Sequence, residues 1–177
     1  MALRIVAGRW RGRRLVAPRG RDTRPTSDRV REALFSILGP LDGERVLDLF
    51  AGSGALGLEA LSRGAASATL VERAPAALRA LRDNARDLGA DAEIVAADAR
   101  TFLRSAREQG AEYSLVFLDP PYAAATGLAR ELPLAPVLAR GARVVAESDR
   151  RAPLDLELPL TDERRYGDTL IRIYTLT

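Results

Sequence analysis

The sequence predicts an α/β fold: a doubly wound, mostly parallel seven-stranded sheet. From Arg45 onward, short apolar runs alternate with amphipathic segments, which is typical of repeated β-α units. A glycine-rich turn lies between the first of these strands and its helix. Near the end, two apolar stretches flank a polar turn, so we expect a C-terminal antiparallel hairpin at the sheet edge.

A small β-hairpin is predicted at the N-terminus. Residues 3–6 and 13–16 alternate apolar and basic side chains, and they flank a loop of Gly, Arg and Trp at 8–12. We therefore divide the chain into a basic N-terminal hairpin extension, residues 1–22, and a main domain, residues 23–177.

The first helix has clear signals at both ends. Ser27 can cap its N-terminus, Asp28 adds favourable first-turn charge, and Gly39 with Pro40 ends it. Apolar side chains between these ends recur with helical spacing, which predicts one buried face. They are Val30, Ala33, Leu34, Ile37 and Leu38.

The remaining elements follow from apolar runs, glycines and prolines. Predicted strands cover residues 46–50, 68–72, 92–96, 115–118 and 144–147. Predicted helices run through 56–61, from Pro75 to Gly89, from Ala99 to about Arg107, and over 124–139 with breaks at Pro133 and Pro136. The last hairpin is predicted from strands at 154–158 and 169–176, with the turn at 162–168.

Composition excludes several kinds of chemistry. The chain has no Cys and no His, so disulfides, thiolate zinc sites, cysteine nucleophiles and a histidine general base are all excluded. We predict no metal. No apolar run approaches the roughly 20 residues of a membrane span, and the basic N-terminus lacks the apolar stretch of a signal peptide. A cytoplasmic protein is expected.

Positive charge is concentrated at the N-terminus. All 27 basic residues are Arg, and ten of them lie in residues 1–31 against only two acids, a local balance of +8. Since the whole chain carries +3, residues 32–177 carry 3 − 8 = −5. This distribution favours a nucleic-acid partner, although a solvated basic tail is the alternative. Trp10 either stacks on a base or anchors the hairpin to the body.

The glycine-rich turn predicts a nucleoside-containing cofactor. Residues 52–57 fit the G-x-G-x-x-G spacing between a strand and a helix, and Glu72 follows about 20 residues later, where it can bind a ribose. Three acids, Asp48, Glu72 and Asp98, end successive strands. They suit a cationic, amino-bearing nucleoside, S-adenosylmethionine, better than a dinucleotide pyrophosphate. One or two of them could instead merely cap the helices that follow.

A stiff, acceptor-rich turn follows the strand at 115–118. Asp119 precedes two prolines and Tyr122, and each proline removes a backbone donor. Acceptors beside an aromatic ring suit a planar ligand that carries an amine. A rigid loop with a packed Tyr is the structural alternative.

These motifs resemble a known family. Residues 48–54 and 119–122 look like motifs I and IV of amino-group S-adenosylmethionine methyltransferases. Residues 4–13, 24–35 and 166–169 are more specifically similar to the bacterial 16S rRNA guanine-N2 methyltransferase family, the small-subunit guanine 966 enzyme. Ser36, Ser114 and the arginines that replace lysines in the hairpin loop depart from that family's pattern.

The resemblance implies a Rossmann-like methyltransferase fold and a role for each matching residue. Glu72 would bind the ribose, and Asp98 with Ala99 the adenine. Asp119 and the Pro120 carbonyl would accept hydrogen bonds from the guanine amine, and Tyr122 would stack on the base. The methionine side of the cofactor would contact Asp48, Ala51, Gly52, Ser53 and Gly54. The RNA would contact Arg9, Trp10, Arg11, Arg13, Arg14, Arg24, Thr26 and Arg29.

Three alternatives remain open at this point. The active-site motif does not separate guanine from adenine, so the target could be adenine N6 or another guanine N2, in RNA or DNA. An NAD-type oxidoreductase could use the glycine-rich turn. A non-catalytic RNA-binding assembly factor could retain the fold. We expect a monomer that acts on 16S rRNA within an assembling small ribosomal subunit.

Overall fold

The computed structural model describes residues 2–19, 26–121, 127 and 131–177 of the chain. Seven strands form one sheet: β1 Arg45–Asp48, β2 Ser67–Glu72, β3 Glu93–Ala96, β4 Tyr113–Leu118, β5 Leu138–Asp149, β6 Leu160–Tyr166 and β7 Thr169–Thr175. The helices with described ends are α1 Asp28–Leu38, α2 Ala55–Ser62, α3 Pro75–Leu88 and α4 Ala99–Glu108. None of the described helices is long and apolar enough to cross a membrane.

The sheet confirms the predicted fold class. Its strand order is β3-β2-β1-β4-β5-β7-β6; the first five strands pair in parallel, and β7 pairs antiparallel with both β5 and β6. The chain order reverses between β1 and β4. In an open α/β sheet the carboxyl ends of the strands at such a reversal form a crevice, which is where ligands bind.

The two faces of the sheet bury separate cores, as a doubly wound fold requires. One core packs α1, α2 and α3 against side chains such as Val46 and Phe117. The other packs α4 against the opposite side chains, including Leu47 and Val116. Alternate residues of β1 and β4 therefore face opposite cores, because successive side chains of a strand point to opposite faces.

The predicted helix signals are confirmed at their ends. Ser27 caps α1 by accepting a hydrogen bond from the Val30 amide at 3.3 Å, and Gly39 ends that helix. Pro75 is the first residue of α3, and Gly89 follows its end in the left-handed conformation. These local signals mark the boundaries because each satisfies or removes a backbone group that the helix leaves unpaired.

The predicted strand at 154–158 is wrong. That segment is irregular, although Leu154 is buried, and the sixth strand is Leu160–Tyr166, which overlaps the predicted polar turn. Among the described strands β6 pairs only with β7, so it is an edge strand, and its side chains are exposed or half-buried. Charged residues suit that position: Arg172 of β7 donates to Glu163 at 2.9 Å.

The prediction for residues 124–139 also fails at its end. Ala135–Val137 form a single 3-10 turn, and β5 begins at Leu138, well before the predicted start at 144. Pro136 lies in that turn and cannot continue a helix, so the chain enters the sheet at once. Residues 122–126 and 128–130 of this region lie outside the described residues.

The N-terminal hairpin is confirmed only as a minimal one. Arg4 and Arg14 form a single antiparallel bridge, and the Ile5 and Leu15 amides donate across it to the carbonyls of Arg13 and Leu3. Ile5 and Leu15 are buried in the same core as α1 and α2. The segment is therefore packed into the body, where contacts with helices replace most of the strand pairing.

Candidate active site

A cavity of about 390 Å³ lies at the carboxyl ends of β1, β2, β4 and β5. It is the crevice that the reversal of strand order creates. Its walls come from the glycine-rich turn, the acids at the strand ends and the start of the segment after β4, together with Leu3, Ala17 and Pro18 of the N-terminal segment and with Thr26 before α1. Among the predicted site residues its walls include Asp48, Ala51, Gly52, Ser53, Glu72, Asp98, Ala99, Asp119, Pro120 and Thr26.

Gly54 lies behind this wall, where only glycine fits. Its φ of 86° is in the left-handed region, and an added Cβ would lie 2.5 Å from Cδ1 of Leu81. Its amide donates to the Ala51 carbonyl at 2.7 Å, which closes the turn. Gly54 thus shapes the turn while Gly52 and Ser53 face the cavity.

Glu72 is tied to the backbone around it. One carboxylate oxygen accepts the Gly52 amide at 2.9 Å, and the other accepts the amides of Arg73 and Ala74, both at 2.8 Å. The side chain is only 5% exposed. These bonds join the end of β2 to the glycine-rich turn, so Glu72 both builds the turn and borders the cavity.

Asp48 is a buried acid with spare hydrogen-bonding capacity. Its Oδ2 accepts the Gly57 amide at 3.3 Å, whereas the buried Oδ1 has no hydrogen bond of normal geometry within the described part of the chain. Burial raises the pKa of Asp48 to about 7; the Gly57 and Phe50 amides lower it, and the charge of Glu72 adds to the rise. A cation in the cavity would satisfy this carboxylate.

Asp98 does two things at the end of β3. It caps α4 by accepting the Arg100 amide at 3.0 Å, and its other oxygen lies 3.7 Å from the Arg73 guanidinium. It is exposed and borders the cavity together with Ala99, the first residue of α4. The suggested capping role is therefore observed, and it leaves the residue at the cavity.

Asp119 directly follows β4, and Pro120 and Pro121 come after it along the same wall. Asp119 is half-buried. Burial raises its pKa well above the ordinary value, and the negative charges of Glu147 and Asp48 raise it further. The predicted stacking residue Tyr122 lies outside the described residues.

Glu147 is a site residue that sequence reasoning missed. It lies near the end of β5, is 8% exposed, and lines the cavity. Thr26 Oγ1 lies 2.7 Å from each of its carboxylate oxygens. Burial raises the pKa of Glu147, and the Thr26 hydroxyl lowers it. A signal was present: Glu147 ends the predicted strand at 144–147, as the three recognised acids end theirs.

The predicted RNA-binding residues divide into several groups. Arg9, Arg11, Arg13, Arg14 and Arg29 are exposed. Trp10 is half-buried against the core, with the Arg9 guanidinium 4.0 Å from its ring centroid. Thr26 lies in the cavity, where it contacts Glu147, and not on the outer surface with the arginines. Arg24 lies outside the described residues.

An ionic cluster on α2, the Glu59 anchor, holds the N-terminal segment. Glu59 is fully buried; it accepts the Val6 and Ala7 amides at 2.8 and 2.9 Å. Two arginines pair with it, Arg63 at 2.8 Å and the fully buried Arg31 at 3.6 Å. The buried carboxylate is thus surrounded by donors and positive charge.

Comparison with known proteins identifies the family. The family described as "Conserved hypothetical protein 95" matches residues 3–175. The chain belongs to this family. The match and the relatives described next confirm the predicted rRNA methyltransferase family and the S-adenosylmethionine-dependent methyltransferase class.

Individual relatives agree with this family assignment. "Putative rRNA methyltransferase YlbH" of Bacillus subtilis is 37% identical over 97% of this chain and 98% of its own length. "Ribosomal RNA small subunit methyltransferase D" of Escherichia coli is 48% identical over 68% of this chain and 60% of its length. The solved structure of "Putative methyltransferase yhhF" from Escherichia coli has a TM-score of 0.83 at 37% identity, covering 99% of this chain and 98% of that one.

Proposed function

We propose that the chain transfers a methyl group from S-adenosylmethionine to the exocyclic N2 amine of a guanine in small-subunit rRNA, with guanine 966 as the family's expected target. One observation carries the proposal. A single cavity is bordered by a buried acid with a spare oxygen, Asp48, and by the acceptor turn at Asp119 and Pro120. A cationic methyl donor and a planar amine would meet there.

The hydrogen-bond acceptors that line the cavity suit this cofactor. Asp48 would bind the ammonium group, since its buried Oδ1 lacks a hydrogen bond among the described residues. Glu72 would accept hydrogen bonds from the ribose hydroxyls, and Asp98 with Ala99 would contact the adenine. Ala51, Gly52 and Ser53 would bind the methionine portion, with Gly54 shaping the turn behind them. When bound, S-adenosylmethionine supplies a methyl group already activated by a positively charged sulfur.

The reacting amine needs to be oriented. Its lone pair is delocalised into the purine ring, so a flat guanine amine is a poor nucleophile. The Asp119 carboxylate and the Pro120 carbonyl would each accept one N–H of the amine, which favours a tetrahedral nitrogen with its lone pair directed at the methyl carbon. Positioning and electrostatics of this kind supply most of the acceleration in such reactions.

One proton must leave after the nitrogen–carbon bond forms. The nitrogen lone pair forms that bond, the carbon–sulfur bond breaks, and the nitrogen carries a positive charge until it loses a proton. Asp119 is suited to receive the proton, since burial and the neighbouring Glu147 and Asp48 charges raise its pKa. Water can then accept it.

The substrate would be gripped outside the cavity. We assign RNA binding to residues 1–22, through Trp10 and the exposed Arg9, Arg11, Arg13 and Arg14, and to Arg24 and Arg29 at the start of the main domain. Tyr122 would stack on the base, an interaction worth about 1–3 kcal/mol, once the base has left its helix stack. The partner would be 16S rRNA in an assembling small subunit, bound by a monomer in the cytoplasm.

Two measurements test the proposal against its alternatives. Calorimetric titration should give a binding isotherm with S-adenosylmethionine and none with NAD; the opposite result would indicate an oxidoreductase. Tritiated methyl groups from the cofactor should then appear in small-subunit RNA offered free or in ribosomal particles. A protein that binds the cofactor but labels neither substrate would be a non-catalytic assembly factor.

A further inference from the structure

We propose that Glu147 recognises the N1–H group of the target guanine, and that Thr26 holds the Glu147 carboxylate in place for this role. The inference rests on the proposed function, because it takes Asp119 as the acceptor of the neighbouring N2 amine. It explains how a turn that cannot itself distinguish guanine from adenine selects guanine.

The sheet register brings the two acids together. Leu118 of β4 pairs in parallel with Ala146 of β5, and Asp119 and Glu147 are the next residues on these neighbouring strands. Adjacent strands are about 4.8 Å apart, and paired residues present their side chains on the same face. Both acids line the cavity. The two acids, called here the carboxylate pair, therefore present adjacent acceptors to one ligand edge.

Thr26 positions the Glu147 carboxyl group with a neutral hydroxyl, so it adds no positive charge beside it. Its Oγ1 lies 2.7 Å from both carboxylate oxygens, and its single hydroxyl hydrogen can be donated to one of them at a time. Thr26 directly precedes Ser27, the N-cap of α1, so a packed helix carries it. The remaining lone pairs of Glu147 stay available to the cavity.

Guanine and adenine differ at the edge that this pair would meet. Guanine carries two adjacent donors there, N1–H and the N2 amine, whereas N1 of adenine is an acceptor. Two N–H donors on the guanine edge favour the ionised form of both carboxyl groups, and ionised carboxylates only accept hydrogen bonds. Glu147 would therefore bind N1–H of guanine while Asp119 binds the amine, and it would face the lone pair of adenine N1 with nothing to donate. Sites built to bind an N–H group strongly reject analogues that lack this group.

The test compares two bases at the target position of an otherwise identical RNA. Guanosine offers N1–H and the N2 amine; the 2-aminopurine riboside keeps the amine, but its N1 is an acceptor. In single-turnover transfer, the wild-type protein should prefer guanosine by about 10²-fold or more. Glu147→Gln should lower the guanosine to 2-aminopurine rate ratio by about 10²-fold, because the amide can donate to N1 of 2-aminopurine.

The ratio isolates the N1 interaction. The two bases also differ at O6, but that difference affects the wild type and the variant alike. Glu157→Gln makes the same chemical change at an exposed acid that does not line the cavity, and it should leave the ratio unchanged. Thr26→Val should lower the ratio part of the way, and Thr26→Ser, which keeps the hydroxyl, should restore it.

The outcomes separate this inference from the proposed function. If Glu147→Gln slows both bases equally, or neither, Glu147 does not recognise N1 of the base and the inference is wrong. Calorimetry of S-adenosylmethionine binding to each variant confirms that it is folded. If the wild-type protein methylates adenine in place of guanine, or transfers no methyl group, the proposed function itself is wrong.

Discussion

The Glu59 anchor and the carboxylate pair both hold acids that are wholly or partly buried, but the two regions balance the negative charge in opposite ways. Glu59 receives two backbone amides and two arginines. Asp119 lies in the same cavity as Glu147 and Asp48, and burial together with these like charges raises its pKa. Burying a charge without a partner is costly, so the anchor satisfies its acid within the protein. The cavity leaves its acids to be satisfied by ligands.

The difference separates stability from function. Neutralising an acid in the anchor should destabilise the protein and spare its chemistry. Neutralising an acid in the cavity should impair the reaction and leave the protein equally or more stable, because the removed charge was unfavourable in the unliganded protein. Variants at both sites and at the surface test this separation, in order of decreasing effect.

Asp119→Asn should show the largest effect. The amide is nearly isosteric with the acid, but it can direct a donor at the amine and cannot take its proton. Single-turnover transfer should slow by about 10³-fold, comparable to the removal of one well-placed polar group from an active site. Cofactor affinity by calorimetry should change little, and the free energy of unfolding in urea should be equal or higher. A large decrease in cofactor affinity would show that Asp119 has been assigned the wrong role.

Glu59→Gln should destabilise the anchor. It removes the buried charge that pairs with Arg31 and Arg63, and breaking a buried ion pair costs about 3 kcal/mol or more. Urea unfolding should measure this decrease in stability, while the guanosine to 2-aminopurine ratio of the folded protein stays constant.

Glu32→Gln is the matched control for that variant. Glu32 lies 3.3 Å from the same Arg63, but its side chain is 53% exposed. Exposed ion pairs contribute less than about 1 kcal/mol, so this change should be nearly silent. An equal destabilisation in both variants would contradict the claim that burial makes the anchor.

Asp48 should make cofactor binding depend on pH. Its pKa is raised to about 7, so it is mostly neutral below that pH and ionised above it. An ionised carboxylate attracts the cationic cofactor, and affinity should rise roughly tenfold between about pH 6 and about pH 7.5. Because the cofactor's own amine titrates as well, the comparison is with Asp48→Asn, which should lack this rise.

Asp48 should also make the stability of the unliganded protein depend on pH, but here the stability should fall as the pH rises. A raised pKa means that the folded state retains a proton that the unfolded state has released. Asp48 therefore lowers the free energy of unfolding progressively as the pH rises from about 4 to about 7. Urea unfolding of the wild type and of Asp48→Asn should diverge over this range, with the variant more stable at the higher pH.

Apart from the controls, the smallest effect is expected for the surface arginines. Arg11 and Arg14 are exposed on the N-terminal segment. Replacing either with Gln should weaken RNA binding modestly and reduce the slope of log affinity against log salt by about 1 for each phosphate that the arginine binds. Arg165→Gln, at an exposed position on the edge strand β6, is the control. An unchanged slope in the first two variants would show that this segment does not bind phosphates.

Deleting the segment would be a poor test of RNA binding. Ile5 and Leu15 are buried in the main core, and the Val6 and Ala7 amides are bound by Glu59. Alternation alone predicted a basic hairpin, and its arginines do lie at the surface. Anchoring was one of the two predicted roles of Trp10, but the other contacts could not be predicted, because their partners lie on α2 and α3, 52 to 68 residues further along the chain.

Local signals predicted the body of the fold well. Ser27, Pro75 and Gly89 mark helix ends because each acts on a backbone group beside it. β6 escaped prediction because an edge strand needs no buried face, so its charged sequence resembles a turn. Glu147 did end a predicted strand, as the recognised acids do, but the register that places it beside Asp119 is encoded by no local pattern.

The identity of the methylated nucleoside distinguishes methyl transfer to guanine N2 from transfer to another amine, such as adenine N6. Small-subunit RNA should be incubated with the wild-type protein and cofactor for a single turnover, digested to nucleosides, and analysed by mass spectrometry. We predict N2-methylguanosine, formed by the wild type and by Glu59→Gln at low temperature and nearly absent with Asp119→Asn. N6-methyladenosine as the product, or an undiminished yield from Asp119→Asn, would contradict this prediction.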